Sequence, residues 1–91
     1  MPDLLVECTV EPGMFKTEYL VSVPPNARFY VDRADVHVLR PPVNQESLDG
    51  KVRAYLVEYR GSQAVIDMTG TPVVGGLRIS VPKAITSDAD R

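Results

Sequence analysis

The stretch of sequence that decides the fold is a pair of alternating segments joined by a short turn. Residues 51–69 read KVRAYLVEYRGSQAVIDMT. Every second residue from Val52 to Leu56 is apolar, and successive side chains of a strand point to opposite sides of a sheet. Gly61-Ser62 fits a two-residue hairpin turn. The sequence therefore predicts a hairpin of two strands, 51–60 and 63–69.

The N-terminal part of the chain has the same period of two. The residues Leu4, Val6, Cys8 and Val10 alternate with more polar neighbours. A second alternating run covers residues 14–23, and Glu11-Pro12-Gly13 between the runs has the composition of a tight turn. Residues 3–23 are therefore predicted to form another β-hairpin, which ends at Pro24-Pro25-Asn26.

A third strand is predicted to start at Arg28, with Phe29 and Val31 on one face. The alternation is disturbed at residues 33–35 and resumes in a different phase at Val36 and Val38. A bulge or bend explains that shift, and a short helical turn is the alternative. Residues 41–50 are polar and rich in turn formers, so they are predicted to be the longest loop.

The C-terminal part is predicted to contain one more strand. Residues 70–76 contain three glycines that lead into alternating residues, so we interpret them as turn glycines of a short loop. A phosphate-binding loop would instead need Gly-Lys-Ser/Thr leading into a helix. The last strand runs from Leu77 to Val81 and stops at Pro82. Residues 86–91 lack apolar periodicity and are predicted to be a mobile tail.

About six short strands without a long helical pattern are typical of a small all-β domain. We expect an antiparallel β-barrel or barrel-like sheet, SH3-like or OB-like, because closing the sheet buries its apolar face and removes exposed edges. A chain of 91 residues is long enough for one domain, which we assign to residues 1–85. The sequence itself shows no internal repeat.

Composition limits the compartment and the class of function. Hydrophobic residues make up 44% of the chain and the formal net charge is −2, which argues against a surface given over entirely to polyanions. Cys8 is the one cysteine, so no intramolecular disulfide can form. We find neither a signal-peptide pattern nor a membrane-spanning apolar stretch of ~20 residues, so a cytoplasmic location without membrane contact is expected.

One predicted strand face mixes cations with aromatic rings. If Val52 and its alternate neighbours point inward, the outward residues include Lys51, Arg53, Tyr55 and Tyr59. Arg28 and Tyr30 would extend this surface if the third strand lies beside it. Barrels that bind single-stranded nucleic acid stack bases on aromatic rings and neutralise phosphates with cations. The same residues are also typical of a contact with a protein partner or a second copy, and the net charge of −2 favours that interpretation over nucleic-acid binding.

A short segment also resembles an RNA-binding family. Residues 12–16 read PGMFK and precede an alternating run. They are similar to the first hairpin of small cytoplasmic barrel proteins that bind RNA, such as the bacterial translation initiation factor of OB fold. The similarity covers these five residues and does not continue into the rest of that family's pattern. A similarity of this length does not identify the chain as a member of that family.

The sequence predicts no catalytic, metal or cofactor site. His37 is the sole histidine, and no spacing of cysteine and histidine typical of zinc is present. No Gly-x-Ser-x-Gly motif supports a hydrolytic triad. Asp32 and Asp35 lack the dense oxygen ligands of a calcium loop. Cys8 lies on the apolar face of its strand, as a small buried hydrophobic residue would.

We therefore expect a non-catalytic interaction module without a small-molecule substrate. It would dock on a partner protein or associate with itself, most readily as a homo-oligomer. The alternative is a barrel that binds single-stranded RNA. In either case the candidate binding residues are Arg28, Tyr30, Lys51, Arg53, Tyr55 and Tyr59.

Overall fold

The structure, a computed structural model, describes residues 3–89. Within that range the only helical segments are two 3₁₀ turns, at Arg33–Asp35 and Lys83–Ile85. The strands are β1 (Asp3–Pro12), β2 (Glu18–Val23), β3 (Ala27–Asp32), β4 (Val36–Val38), β5 (Leu48–Arg60), β6 (Gln63–Met68), β7 (Thr71–Val74), β8 (Arg78–Pro82) and β9 (Thr86–Asp88).

All strands belong to one antiparallel sheet, which curls into a half-barrel. The order of the seven main strands is β7-β3-β2-β1-β5-β6-β8, while β4 pairs with β5 and β9 pairs with β1. Within residues 3–89, β7 and β8 therefore each have a strand neighbour on one side only. The prediction of an all-β, barrel-like antiparallel sheet is confirmed, with nine strands in place of the expected six.

The core lies on the inner face of the curled sheet. Alternate residues of each long strand are buried there, as the period of two predicts, and Phe29, Leu4 and Ile66 are the largest of the fully buried side chains. Burying a side chain of this size stabilises a fold by about 1.5–3 kcal/mol before the entropy cost of folding. Cross-strand pairs such as Val6 and Val52 continue the core from one strand to the next.

The two halves of the chain repeat one order of elements. Each half has three antiparallel strands, a 3₁₀ turn and a short strand; β7 is inserted in the second half between β6 and β8. The first strands of the halves, β1 and β5, pair with each other around Val6 and Val52. Each half's last strand pairs with the other half's first, β4 with β5 and β9 with β1. The topology is therefore pseudo-twofold, although no repeat is visible in the sequence.

The first predicted hairpin is confirmed, but its second strand begins at Glu18 and not at residue 14. Local hydrogen bonds hold residues 14–17 in a turn: the Met14 amide donates to the Glu18 carboxylate (3.3 Å), and the Glu18 amide donates to the Phe15 carbonyl (3.3 Å). Met14 and Phe15 are 70% and 65% exposed. Alternation in the sequence does not reveal these local bonds.

Two further predictions are corrected between β3 and β5. Residues 33–35 form a 3₁₀ turn, the alternative to a bulge, and the Asp32 carboxylate accepts a hydrogen bond from the Ala34 amide at 2.9 Å. The predicted loop 41–50 ends earlier, because β5 already begins at Leu48. Gly50 lies within that strand, where an added Cβ would come within 2.8 Å of the His37 carbonyl oxygen. This glycine permits close strand packing and does not form a turn.

The predicted loop 70–76 contains a strand. Residues Thr71–Val74 form β7 and pair with β3. Gly70 lets the chain pass the β3 backbone closely, since a Cβ there would overlap the Tyr30 carbonyl oxygen. The last strand is predicted to run from Leu77 to Val81. In the structure β8 runs from Arg78 to Pro82, so Leu77 lies outside it and Pro82 belongs to it.

The predicted tail is wrong for residues 86–88. Thr86, Ser87 and Asp88 form β9 and pair with Val6, Leu5 and Leu4 of β1. Ile85, just before this strand, packs against the core and brings the chain back to β1. A polar three-residue strand has too few apolar positions to show a period. Ala89 follows the strand in a turn, and the last two residues of the predicted tail, 90 and 91, lie outside the described residues.

Candidate interaction surfaces

The predicted basic and aromatic row exists in part on the outer face of β5. Val52 and Ala54 are fully buried, so Lys51, Arg53 and Tyr55 between and beside them project outward. Tyr55 is 38% exposed and lies opposite Asp3 on one side and Asp67 on the other. The row thus mixes cations and a ring, with acidic neighbours on both adjacent strands.

Tyr59 does not belong to that row. A β-bulge between Leu56 and Glu58 shifts the register, and Tyr59 lies opposite Ala64, which is fully buried on the inner face. Directly opposed residues share a face of the sheet. The bulge therefore moves Tyr59 to the face opposite Tyr55, where its ring lies 4.5 Å from the Lys83 ammonium.

Arg28 and Tyr30 are also separated from the row. They lie on the outer face of β3, and two strands, β2 and β1, stand between β3 and β5. Arg28 pairs with the Glu11 carboxylate at 3.5 Å. The six predicted binding residues therefore fall into three groups and do not form one surface.

The cations nearest to Tyr55 have acidic neighbours. Arg53 contacts the Asp3 carboxylate at 2.6 Å and the Asp35 carboxylate at 3.9 Å. Lys51 lies between Glu7 on β1 and His37 on β4. Such an arrangement attracts a polyanion much less than an unpaired row of cations would.

The edge strand β7 is a surface that the sequence-based prediction missed. All four of its residues are exposed. Val73 and Val74 are 50% and 37% exposed, and Leu77 beyond the strand is 48% exposed. The signal in the sequence was the run TPVVGGL, residues 71–77, which has no charged residue.

The loop that joins β4 to β5 displays a second set of apolar side chains. Leu39 is 98% exposed and Val43 is 60% exposed. The guanidinium of Arg40 donates two hydrogen bonds to the Glu46 carboxylate, closing the loop between them. The Glu46 carboxylate also accepts a hydrogen bond from the Val43 amide at 3.1 Å. Pairing with Arg40, and next the Val43 amide, lowers the pKa of Glu46 to about 2.

A shallow cleft of about 590 Å³ lies beside this loop, between β1, β4 and β5. Its lining includes Leu39, the Cys8 thiol and four further titratable side chains: Glu7, His37, Asp49 and Lys51. Burial, and to a lesser extent the Asp49 charge, raises the pKa of the Cys8 thiol to about 12. The thiol is therefore protonated at neutral pH and is a poor nucleophile.

The described residues contain no group of three or more His, Cys, Asp or Glu side chains that could hold a metal ion. No helix within residues 3–89 has the length and apolar character needed to cross a membrane. Comparison with known proteins finds no family model that matches the chain, and no match among curated proteins or solved structures.

Proposed function

We propose that the protein is a non-catalytic docking module that binds an extended segment of a partner protein along β7. A single observation carries the proposal: β7 is an open, uncharged edge of the sheet, and each of its four residues is exposed. We keep the cytoplasm as its expected compartment, since its one cysteine is buried and the chain can form no disulfide of its own.

The chemistry of an edge strand selects the kind of partner. One side of β7 pairs with β3, and the other side carries backbone N–H and C=O groups that have no strand neighbour among residues 3–89. Another extended chain satisfies such groups best, and pockets or apolar contacts for alternate side chains add specificity. Val73, Val74 and Leu77 supply apolar contacts at this edge.

The opposite edge strand, β8, carries the features that protect a sheet edge from strand addition. Arg78 of β8 forms two hydrogen bonds with the Asp67 carboxylate, at 2.7 and 3.0 Å. Pro82 ends β8, and Lys83 follows it. Charged residues and proline are common means of preventing strand addition. Residues 71–77 contain one proline, Pro72, and no charge.

The experiment selects peptides and then locates their site. A phage-displayed library of random dodecapeptides is selected on the immobilised protein, and synthetic versions of the selected peptides are titrated by fluorescence anisotropy. We expect Val73→Lys to weaken their binding roughly tenfold or more, because an ammonium on the edge must be desolvated when a strand is added. Ser80→Lys on β8 is the matched control and should leave binding unchanged.

Backbone amide shifts provide the second readout. Bound peptide should perturb the amides of residues 71–74 before those of β8 or the outer face of β5. Selected peptides that bind Val73→Lys as tightly as the original chain would overturn the proposal, as would a selection that yields no binding peptide.

Binding of single-stranded RNA is the alternative proposal. Its contiguous surface would be Lys51, Arg53 and Tyr55. The other three predicted binding residues, Tyr59, Arg28 and Tyr30, would contribute from other parts of the sheet. A labelled oligouridine titrated at low salt tests it. Binding that falls steeply with salt and is lost in Tyr55→Ala would favour this alternative over strand addition.

A further inference from the structure

The cleft beside Leu39 combines a projecting apolar side chain with a recess on the same surface. Leu39 lies on the rim of the cleft and is 98% exposed. Adjacent projection and recess are the elements of a self-complementary contact. In a twofold dimer the same surface patch is used by both copies, so each copy needs both elements.

Leu39 is held in place by structure on both sides. Val38, the residue before it, ends β4 and is half-buried against the core. Arg40, the residue after it, is fixed by its two hydrogen bonds to Glu46. The Glu46 amide donates back to the Val43 carbonyl at 3.0 Å, which completes the closed loop. A side chain presented on a pre-organised loop loses little conformational entropy on binding.

The charges around the cleft are of both signs, two carboxylates and one ammonium, and none of them forms an ion pair among the described residues. Glu7 and Asp49 carry negative charges there, and Lys51 carries a positive one. Across the residues that the structure describes, none of these three has an oppositely charged group within 4.0 Å, whereas Arg28, Arg40, Arg53, Arg60 and Arg78 all do. A strongly acidic or strongly basic partner would meet repulsion from one of the two signs. A second copy presents both signs, so a twofold arrangement could set each Lys51 against the other copy's carboxylates.

We infer that this face is the contact between two copies of the chain, with each Leu39 entering the cleft of the other copy and Lys51 facing Glu7 or Asp49 across the interface. This surface is separate from the peptide edge proposed above, because β7 lies at one end of the sheet and β5 is four strands away. The protein would thus be a symmetric dimer with one free β7 edge on each copy.

Sedimentation velocity over a wide concentration range tests the inference on the full chain. We expect a reversible dimer for the original sequence and a monomer for Leu39→Asp at the same concentrations. Val43→Asp is the matched control, since Val43 is an exposed apolar residue of the same loop that is not part of the cleft lining. It should leave the dimer intact. Amide spectra of each variant confirm that it is folded.

A charge exchange tests the proposed pairing. Lys51→Glu should weaken the dimer roughly tenfold, and adding Glu7→Lys in the same chain should restore a large part of that loss. High salt should weaken the original dimer and leave the monomer unchanged.

Three outcomes would overturn the inference. The first is an original chain that stays monomeric at every concentration, and the second is an equal effect of Leu39→Asp and Val43→Asp. The third is loss of the dimer in Val73→Lys but not in Leu39→Asp, which would place the self-contact at β7. Because Val73→Lys is predicted to leave the dimer intact and to weaken peptide binding, failure of one proposal is distinguishable from failure of the other.

Discussion

The Lys83 ammonium lies over the ring of Tyr59, 4.5 Å from its centroid, and matches the Arg33 guanidinium over Tyr19 at 4.6 Å in the other half of the chain. Both cations are the first residue of a 3₁₀ turn. The rings, however, come from different strands: Tyr19 is on β2 opposite Pro12, and Tyr59 is on β5 opposite Ala64. Each half therefore places the first residue of its 3₁₀ turn over a tyrosine ring, although the two rings come from different strands.

The contact between Tyr59 and Lys83 should contribute measurably to stability. We expect a coupling free energy of about 0.5–1 kcal/mol in a double-mutant cycle of Tyr59→Leu and Lys83→Gln, the range for a cation over a partly exposed ring. Urea unfolding of the four proteins measures it. A coupling near zero would show that the two side chains only lie close together.

Substitution of Gly70 should destabilise the protein. In Gly70→Ala the added Cβ overlaps the Tyr30 carbonyl and lies 2.7 Å from the Val31 side chain, so the β7 backbone must move away from β3. Overpacking of this kind costs about 1–3 kcal/mol. Gly76→Ala is the control, because a Cβ there has nothing within 4 Å. Equal midpoints of thermal unfolding for the two variants would contradict the close packing of β7 on β3.

Stability should depend on the ionisation of Cys8 in alkaline solution. Burial raises the pKa of this thiol from 9.0 to about 12, so the unfolded chain loses the thiol proton at a lower pH than the folded chain does. The contribution of the protonated thiol to the free energy of unfolding is complete below pH ~9. It decreases as pH rises toward about 12, with a slope that approaches ~1.4 kcal/mol per pH unit.

The difference in the free energy of unfolding between the original chain and Cys8→Ala separates the ionisation of the thiol from the titration of lysines and tyrosines. We expect the stability of the original chain to fall more steeply with pH than that of Cys8→Ala, in guanidinium unfolding at several alkaline pH values. Parallel curves would mean that the folded and unfolded thiols ionise alike.

Removal of β9 should weaken the domain. A chain that ends at Ile85 loses the pairing of Thr86–Asp88 with Leu4–Val6 of β1. The loss should be roughly 2 kcal/mol, because each net backbone hydrogen bond contributes ~1 kcal/mol. A chain that ends at Ala89 keeps every strand pairing described above and serves as the control. If both chains unfold at the same urea concentration, β9 adds nothing to stability.

Side-chain alternation carried most of the information about the fold. It predicted the inner-face residues of β5 and β6, such as Ala54 and Ile66, and the turn at Gly61-Ser62, because burial on one face of a sheet imposes a period of two. Alternation could not predict strands that are held only by a partner strand distant in sequence. The strands β7 and β9 have exposed or polar residues, and β3 and β1 hold them in place.

The candidate surfaces were harder to predict than the core. The bulge at residues 56–58 changes the face of Tyr59, and bulges depend on backbone hydrogen bonding that the sequence leaves open. The separation of Arg28 from Arg53 depends on strand order, which alternation does not determine. The Arg40–Glu46 loop is a local arrangement of charges, six residues apart, in a segment that composition only identified as a loop.

The last strand of each half pairs with the first strand of the other half, so each half of the chain depends on the other. Cut within the loop between β4 and β5, the protein would yield two pieces, each holding a strand that completes the other's sheet. Neither piece could form all its strand pairs alone, and together they would form all of them without a covalent link. Two chains of about half this length could therefore assemble the same sheet by exchanging their terminal strands, as domain-swapped proteins do.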